Sequence, residues 1–265
     1  MQTSTLNRIT SLFGKRQEGL LSVYFTAGFP NLDDTIPILR SVENAGADLV
    51  EIGIPFSDPI ADGPTIQDSN KRAIENGVTL KYLFEQLESL RPASSLPVIL
   101  MGYLNPVLQF GVDEFCRRCS EVGVDGLILP DLPMDEYLES YKSTAERYGL
   151  CNIFLITPQT SEERIRWIDR HTRGFIYMVS SASTTGSRSG LDASQVEYFE
   201  RIRSMQLDNP ALIGFGISDR TAFEHACRYA SGAIVGSALI RAIGESADPV
   251  RDAAAFVQEL KGIRS

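Results

Sequence analysis

Residues 49–68, LVEIGIPFSDPIADGPTIQD, carry four acids (Glu51, Asp58, Asp62 and Asp68) in a segment that opens like a buried strand. Successive side chains of a strand point to opposite faces. Val50, Ile52 and Ile54 share one parity; Leu49, Glu51 and Gly53 share the other. The all-apolar set suits a layer facing helices, so Glu51 is expected to turn inward. The stretch after it, FSDPIADG, reads as a loop, because Pro59 and Pro64 restrict the backbone and Gly63 allows a turn. PTIQDSNKRAIENG then continues as a helix, and strand, loop and helix together make one βα unit.

The unit repeats along the chain. Apolar runs rich in Val, Ile, Leu and aromatics stand at 20–28, 47–55, 97–103, 124–131, 151–158, 174–180, 211–218 and 232–237, giving eight candidate strands. Amphipathic stretches separate them, several opening on Asp or Ser and closing on Gly, as helix caps do. Strict alternation implies parallel strands, and eight units point to a closed (β/α)8 TIM barrel, a single domain over residues 1–265. An open doubly wound sheet is the alternative, weakened because no GxGxxG follows the first strand. Two additions are expected: an N-terminal helix with Leu6, Ile9, Leu12 and Phe13 on one face, covering the barrel bottom, and an extra helical segment after strand 2, set off by Gly77.

Composition narrows the function classes. With 43% hydrophobic and 22% charged residues the chain can bury a sizeable core, and disorder is not expected. A net charge of −9 without a basic stripe argues against nucleic acid, so any bound phosphate must be gripped by local groups. The start lacks the apolar core of a secretion signal, and GAIVGSALI (232–240) is too short to span a bilayer; the expectation is a soluble, cytoplasmic protein. Cys116 and Cys119 form a CxxC inside a helical stretch with no second pair nearby, and only His171 and His225 are available as histidines. Metal chemistry is therefore not expected.

The acids of the opening stretch carry the chemistry. An inward Glu51 is costly to bury unless paired or protonated, and Gly53, one step nearer the catalytic end, leaves a gap that reads as a substrate seat. A structural glutamate satisfied by barrel neighbours is the competing reading. Asp62 could complete an acid–base pair, or merely cap its turn. TTGSRSG (184–190), GFGIS (214–218) and VGSALI (235–240) place glycines at late strand ends, the last two after strands 7 and 8, where barrels often grip phosphate. Tyr177 shares parity with Phe175 and Val179 and stands near a strand end, either contacting substrate and Glu51 or serving as core. SSASTTGSRSGLD reads as a lid.

At these residues the chain resembles the tryptophan synthase alpha subunit family, through YFTAGFP (24–30), GADLVEIGIPFSDPIADGPTIQ (46–67), GYLNPVLQFG (102–111), VDGLILPDLP (124–133), TTG (184–186), GFGIS and VGSA (235–238). The PFSDPIADGP string is highly specific to it. The resemblance implies a carbon–carbon lyase that reversibly cleaves indole-3-glycerol phosphate to indole and glyceraldehyde 3-phosphate, without a metal or organic cofactor in this chain. It implies Glu51 as the acid–base, Asp62 as acceptor of the indole N–H, and Tyr177 as the tyrosine that orients Glu51. It also implies a phosphate grip of Gly186, Gly216, Gly236 and Ser237, indole neighbours Tyr24, Met101 and Phe215, and a lid threonine, Thr185, that meets the aspartate on closure. A pyridoxal-phosphate beta subunit that receives the indole is implied as partner in an αββα heterotetramer, with Pro55, Asp58, Asn105 and Pro106 at the contact. The lid departs from some members in lacking an arginine before its glycine. From the fold alone, a phosphosugar isomerase and a non-catalytic phosphate-binding barrel are the alternatives; the first lacks a marked Lys or His at a strand end, the second a use for a buried carboxylate.

Overall fold

The computed structural model describes residues 7–180, 193–214 and 216–263. Parallel strands run β1 (Leu20–Thr26), β2 (Leu49–Gly53), β3 (Val98–Met101), β4 (Gly126–Ile128), β5 (Cys151–Asn152), β6 (Phe154–Ile156), β7 (Ile176–Val179), β8 (Ala211–Gly214) and β9 (Gly232–Val235). Their order is β5-β4-β3-β2-β1-β9-β8-β7-β6. The fifth expected strand is thus two short pieces. β5 pairs with β4 and β6 with β7, while Ile153 between them donates its N–H to Leu127 O at 3.0 Å. One stave changes partner at its midpoint, and its covalent continuity joins the two ends of the sheet into the (β/α)8 barrel.

The parity of the opening stretch places its side chains as expected. Val50, Ile52 and Ile54 pack in the large cluster between strands and helices, whereas Leu49 belongs to the barrel interior with Leu20, Ile99, Ile128, Phe175 and Ile234. The helix Arg8–Lys15 closes the bottom, its Ile9 and Phe13 part of the same interior cluster. Ile9 fits there because two glycines make room: a Cβ on Gly126 would stand 2.8 Å from Ile9 Cδ1, and one on Gly174 2.9 Å from Ile9 Cγ2. Burying one such aliphatic side chain contributes roughly 1.5–3 kcal/mol.

The expected extra segment after β2 consists of helices Pro64–Glu75, Leu80–Leu87 and Leu90–Ala93. Gly77 separates the first two at φ +98°, a conformation that disfavours a side chain. Below the barrel, Asp125 accepts from Arg91 Nη2 at 2.7 Å, Arg8 Nη1 at 3.0 Å and Val98 N at 2.9 Å, tying the N-terminal helix to β3 and β4. Cys116 and Cys119 lie on the buried face of the helix Val112–Val122 as free thiols, and burial pushes both upward in pKa.

Candidate active site

Strands β1 and β2 are in register with Tyr24 beside Glu51 and Ser22 beside Leu49. Glu51 is fully buried, and its Oε1 accepts a hydrogen bond from Ser22 Oγ at 2.8 Å, so the carboxyl leans back toward the level of Leu49. Its Oε2 has no hydrogen-bond partner among the described residues. Burial pushes the Glu51 pKa up to about 8 against the opposing Ser22 hydrogen bond. A neutral carboxylic acid near neutral pH is the consequence.

The space at Gly53 is filled. A Cβ there would lie 2.2 Å from Tyr24 Oη, so the phenol takes the place that the sequence suggests as a substrate seat. Gly53 is small for the benefit of Tyr24, which is the register partner of Glu51 and leans along β2 toward the glycine two residues on. On its other side the Tyr24 ring stands 3.3 Å from where a Cβ of Gly236 would be. Tyr24 thus runs from the Glu51 strand to the start of the helix Ser237–Gly244. Tyr177 uses the same device, its Oη 2.3 Å from a Cβ built on Gly214. Burial raises both phenols well above the ordinary tyrosine range, and the charges of Glu51 and Asp62 add to it in each case. Two carboxyls and two neutral phenols therefore share the catalytic end of the barrel.

Asp62 is half-buried and is positioned by its loop. Asp62 N donates to Pro59 O at 3.0 Å, and Gln67 Nε2 donates to Asp62 O at 2.8 Å from the following helix. Tyr103, just beyond β3, donates from Oη to Asp62 Oδ2 at 3.0 Å and accepts from Ala61 N at 3.1 Å. Its ring stacks on Phe56, with centroids 5.0 Å apart. Burial raises the Asp62 pKa, and the Tyr103 hydrogen bond pulls it back. The turn-capping reading of Asp62 is incomplete, since its side chain accepts from a tyrosine just past the next strand.

The other expected residues divide by place. Met101 ends β3 and packs against the interior cluster. Gly236 and Ser237 open a helix that no side chain caps, whereas Asp219 caps its neighbour Arg220–Ala226 by accepting from Ala222 N. Gly216 takes φ +77° in the loop after β8. A helix start that no side chain caps suits an anion. Thr185, Gly186, Phe215 and the expected lid lie outside the described residues. Pro55 and Pro106 are half-exposed, while Asp58 and Asn105 are exposed; Ile60 is 89% exposed and Leu108 49%.

Sequence reading missed Ser22 and Tyr103. Parity held the signal for both: Ser22 shares its parity with Leu20 and Tyr24, and Tyr103 with Ile99 and Met101. Two clefts lie elsewhere. One of about 540 Å³ runs outside the barrel along the helices Thr35–Asn44 and Pro249–Lys261, and another of about 340 Å³ borders Leu129, Asp131, Leu155 and Arg164. Neither is lined by Glu51 or Asp62, so the chemistry and not cleft size locates the site.

The family model described as Tryptophan synthase alpha chain matches residues 11–264. A tryptophan synthase alpha chain from Flavobacterium johnsoniae is 56% identical over 241 residues, covering 91% of this chain and 95% of that one. One from Flavobacterium psychrophilum is 54% identical, covering 96% and 100%. Among solved structures, tryptophan synthase subunit alpha from Legionella pneumophila superposes with a TM-score of 0.88 at 34% identity, covering 98% of each chain. A chain of Mycobacterium tuberculosis tryptophan synthase gives 0.86 at 32%, covering 98% and 99%. Sequence and fold agree along nearly the whole length: this chain belongs to the tryptophan synthase alpha chain family.

Proposed function

We propose that the chain cleaves indole-3-glycerol phosphate reversibly to indole and glyceraldehyde 3-phosphate, with Glu51 as acid–base and Asp62 as partner of the indole N–H. The observation that carries this reading is the pairing of a carboxyl raised to about 8 with a second, less buried carboxyl at one barrel end. Retro-aldol cleavage needs C3 of the indole protonated, which turns the ring into an electron sink. A neutral Glu51 can supply that proton near neutral pH. The resulting carboxylate takes the proton of the glycerol hydroxyl as the C–C bond breaks and the aldehyde forms. Asp62 faces the positive charge that develops on the ring nitrogen, and a fixed anion there lowers the barrier electrostatically.

Tyr177 and Tyr24 wall the reacting centre, and Met101 borders it from β3. Gly186, Gly216, Gly236 and Ser237 supply the phosphate grip, with Phe215 beside the indole and Thr185 meeting Asp62 on closure. All of this chemistry is acid–base and electrostatic, so the reading assigns no metal or organic cofactor to this chain. Pyridoxal phosphate belongs to the beta subunit that consumes indole.

That beta subunit is the proposed partner, in an αββα assembly. Exposed Ile60 and Leu108, beside Pro55, Asp58, Asn105 and Pro106, support a contact on the loop after β2 and the helix Leu104–Phe110 after β3. Among the described residues no helix is long and apolar enough to cross a membrane, and a cytoplasmic site of action is part of the same proposal. Indole release from indole-3-glycerol phosphate by the purified chain, with and without a beta subunit, tests the activity. No release under either condition overturns it. Ile60→Asp is expected to abolish co-elution with the beta subunit while leaving the basal cleavage rate in place.

A further inference from the structure

The Ser22 hydroxyl is the feature that this mechanism leaves unused. Ser22 and Glu51 are both fully buried, 2.8 Å apart between adjacent strands. A serine has one proton to give, and among the described residues Glu51 Oε1 is the only acceptor that Ser22 Oγ reaches. Donation to Oε1 is therefore the arrangement that leaves no buried hydroxyl proton unmet.

A protonated carboxyl has two unlike oxygens: the carbonyl oxygen accepts hydrogen bonds well, and the hydroxyl oxygen donates. With Oε1 receiving the Ser22 proton, the acid proton sits on Oε2, the oxygen without a partner among the described residues. We propose that Ser22 is a positioning residue that divides the work of the Glu51 carboxyl, holding Oε1 fixed and leaving Oε2 as the oxygen that gives and recovers the proton. This rests on the acid–base reading of Glu51. In the cleavage direction Oε2–H protonates C3. As the C–C bond breaks, its electron pair returns to the ring, and Oε2 takes the proton released by the glycerol hydroxyl, restoring Glu51.

Glu51 acts electrostatically on Tyr24 from β1 and Tyr177 from β7, and Asp62, from the loop after β2, acts on the same two phenols. No cation among the described residues offsets the burial of Glu51; the Ser22 hydrogen bond is the opposing influence. Removing that bond makes Glu51 harder to ionise and frees its carboxyl to rotate.

Ser22→Ala and Ser22→Thr, assayed for indole release across pH, test the assignment. For Ser22→Ala the expected result is kcat lower by about tenfold, the size of one lost hydrogen bond to an ionisable group, with KM within about twofold. The alkaline limb of kcat/KM should also move to higher pH. Ser22→Thr, which keeps the hydroxyl, should restore both. A folded alanine variant with the wild-type rate and limb overturns the proposal. Equal losses in both variants with the limb unmoved also overturn it, since packing alone would then explain them.

A measurement on the wild type covers the case of an alanine variant that does not fold. The infrared C=O stretch assigned to Glu51, by difference against Glu51→Gln, should sit at the frequency of a hydrogen-bonded acid carbonyl; a band at the free-carbonyl position overturns the proposal. Failure of the underlying reading is separately visible, because Glu51→Gln would then retain cleavage.

Discussion

Tyr103 Oη donates to Asp62 Oδ2 at 3.0 Å while accepting from Ala61 N, so one phenol just past the third strand holds both the side chain and the backbone of the second strand's loop. Asp62 is thereby aimed by a residue 41 positions away. Tyr103→Phe keeps the stack on Phe56 but removes both bonds. The expected outcome is a drop of about tenfold in kcat/KM for indole-3-glycerol phosphate, from the loss of one charge-assisted hydrogen bond. Because that bond pulls the Asp62 pKa down, its loss should move the acid limb of the profile to higher pH. Steady-state kinetics across pH check both.

Glu51→Gln should lower cleavage by about 10²–10⁴-fold, the usual contribution of a positioned proton-transfer group, without loss of fold. Measurement of single-turnover indole release settles the size of the effect.

Glu51 also links activity and stability to pH. Cleavage begins from the protonated acid, so kcat/KM is expected to fall as pH rises through about 8. The folded-state pKa lies above the ordinary carboxylate value, so the native protein holds a proton that the unfolded chain releases. Stability is then fully present below the unfolded pKa, near 4.5, and is lost as pH rises through about 8. Glu51→Gln removes this burden. Its melting temperature should exceed that of the wild type at pH 8.5 and converge on it at pH 4.5. A difference that is the same at both values contradicts the linkage.

Gly53→Ala places a methyl group 2.2 Å from Tyr24 Oη, a distance no side chain tolerates. The phenol has to leave its seat beside Glu51 and Gly236. Activity should fall by more than about tenfold, while overpacking costs about 1–3 kcal/mol of stability. Double substitution with Tyr24→Phe, which removes the clashing oxygen, should recover part of the stability. Denaturation of the single and double variants makes the comparison.

Far from the chemistry, Asp125→Ala leaves the Val98 N–H beneath the barrel without its acceptor and takes the counter-charge from Arg91, which keeps its bonds to Gly123 O and Leu96 O. Leaving a buried N–H unmet typically costs about 1–3 kcal/mol. Chemical denaturation should show the loss, and turnover per folded molecule should stay at the wild-type level.

Period-two alternation made the orientation of Glu51 legible before any coordinates. Parity is a local property, and Val50, Ile52 and Ile54 could face only one apolar layer at a time. The succession of strand and helix was legible for the same reason, as was the N-terminal helix with Ile9 and Phe13 on its buried face. The motif string around Asp58 and Asp62 went further and carried the family.

Relations between strands were not legible, because register and rotamer depend on neighbours distant in the chain. The barrel closes at Ile153, where a single stave exchanges partners. Gly53 makes room for Tyr24 and leaves no gap of its own. Ser22 and Tyr103 each bear the right parity, yet nothing in a linear pattern says that one reaches Glu51 Oε1 and the other Asp62 Oδ2. Alternation tells which way a side chain points; packing across the barrel determines what it meets there, and that contact sets how far each carboxyl departs from its behaviour in water.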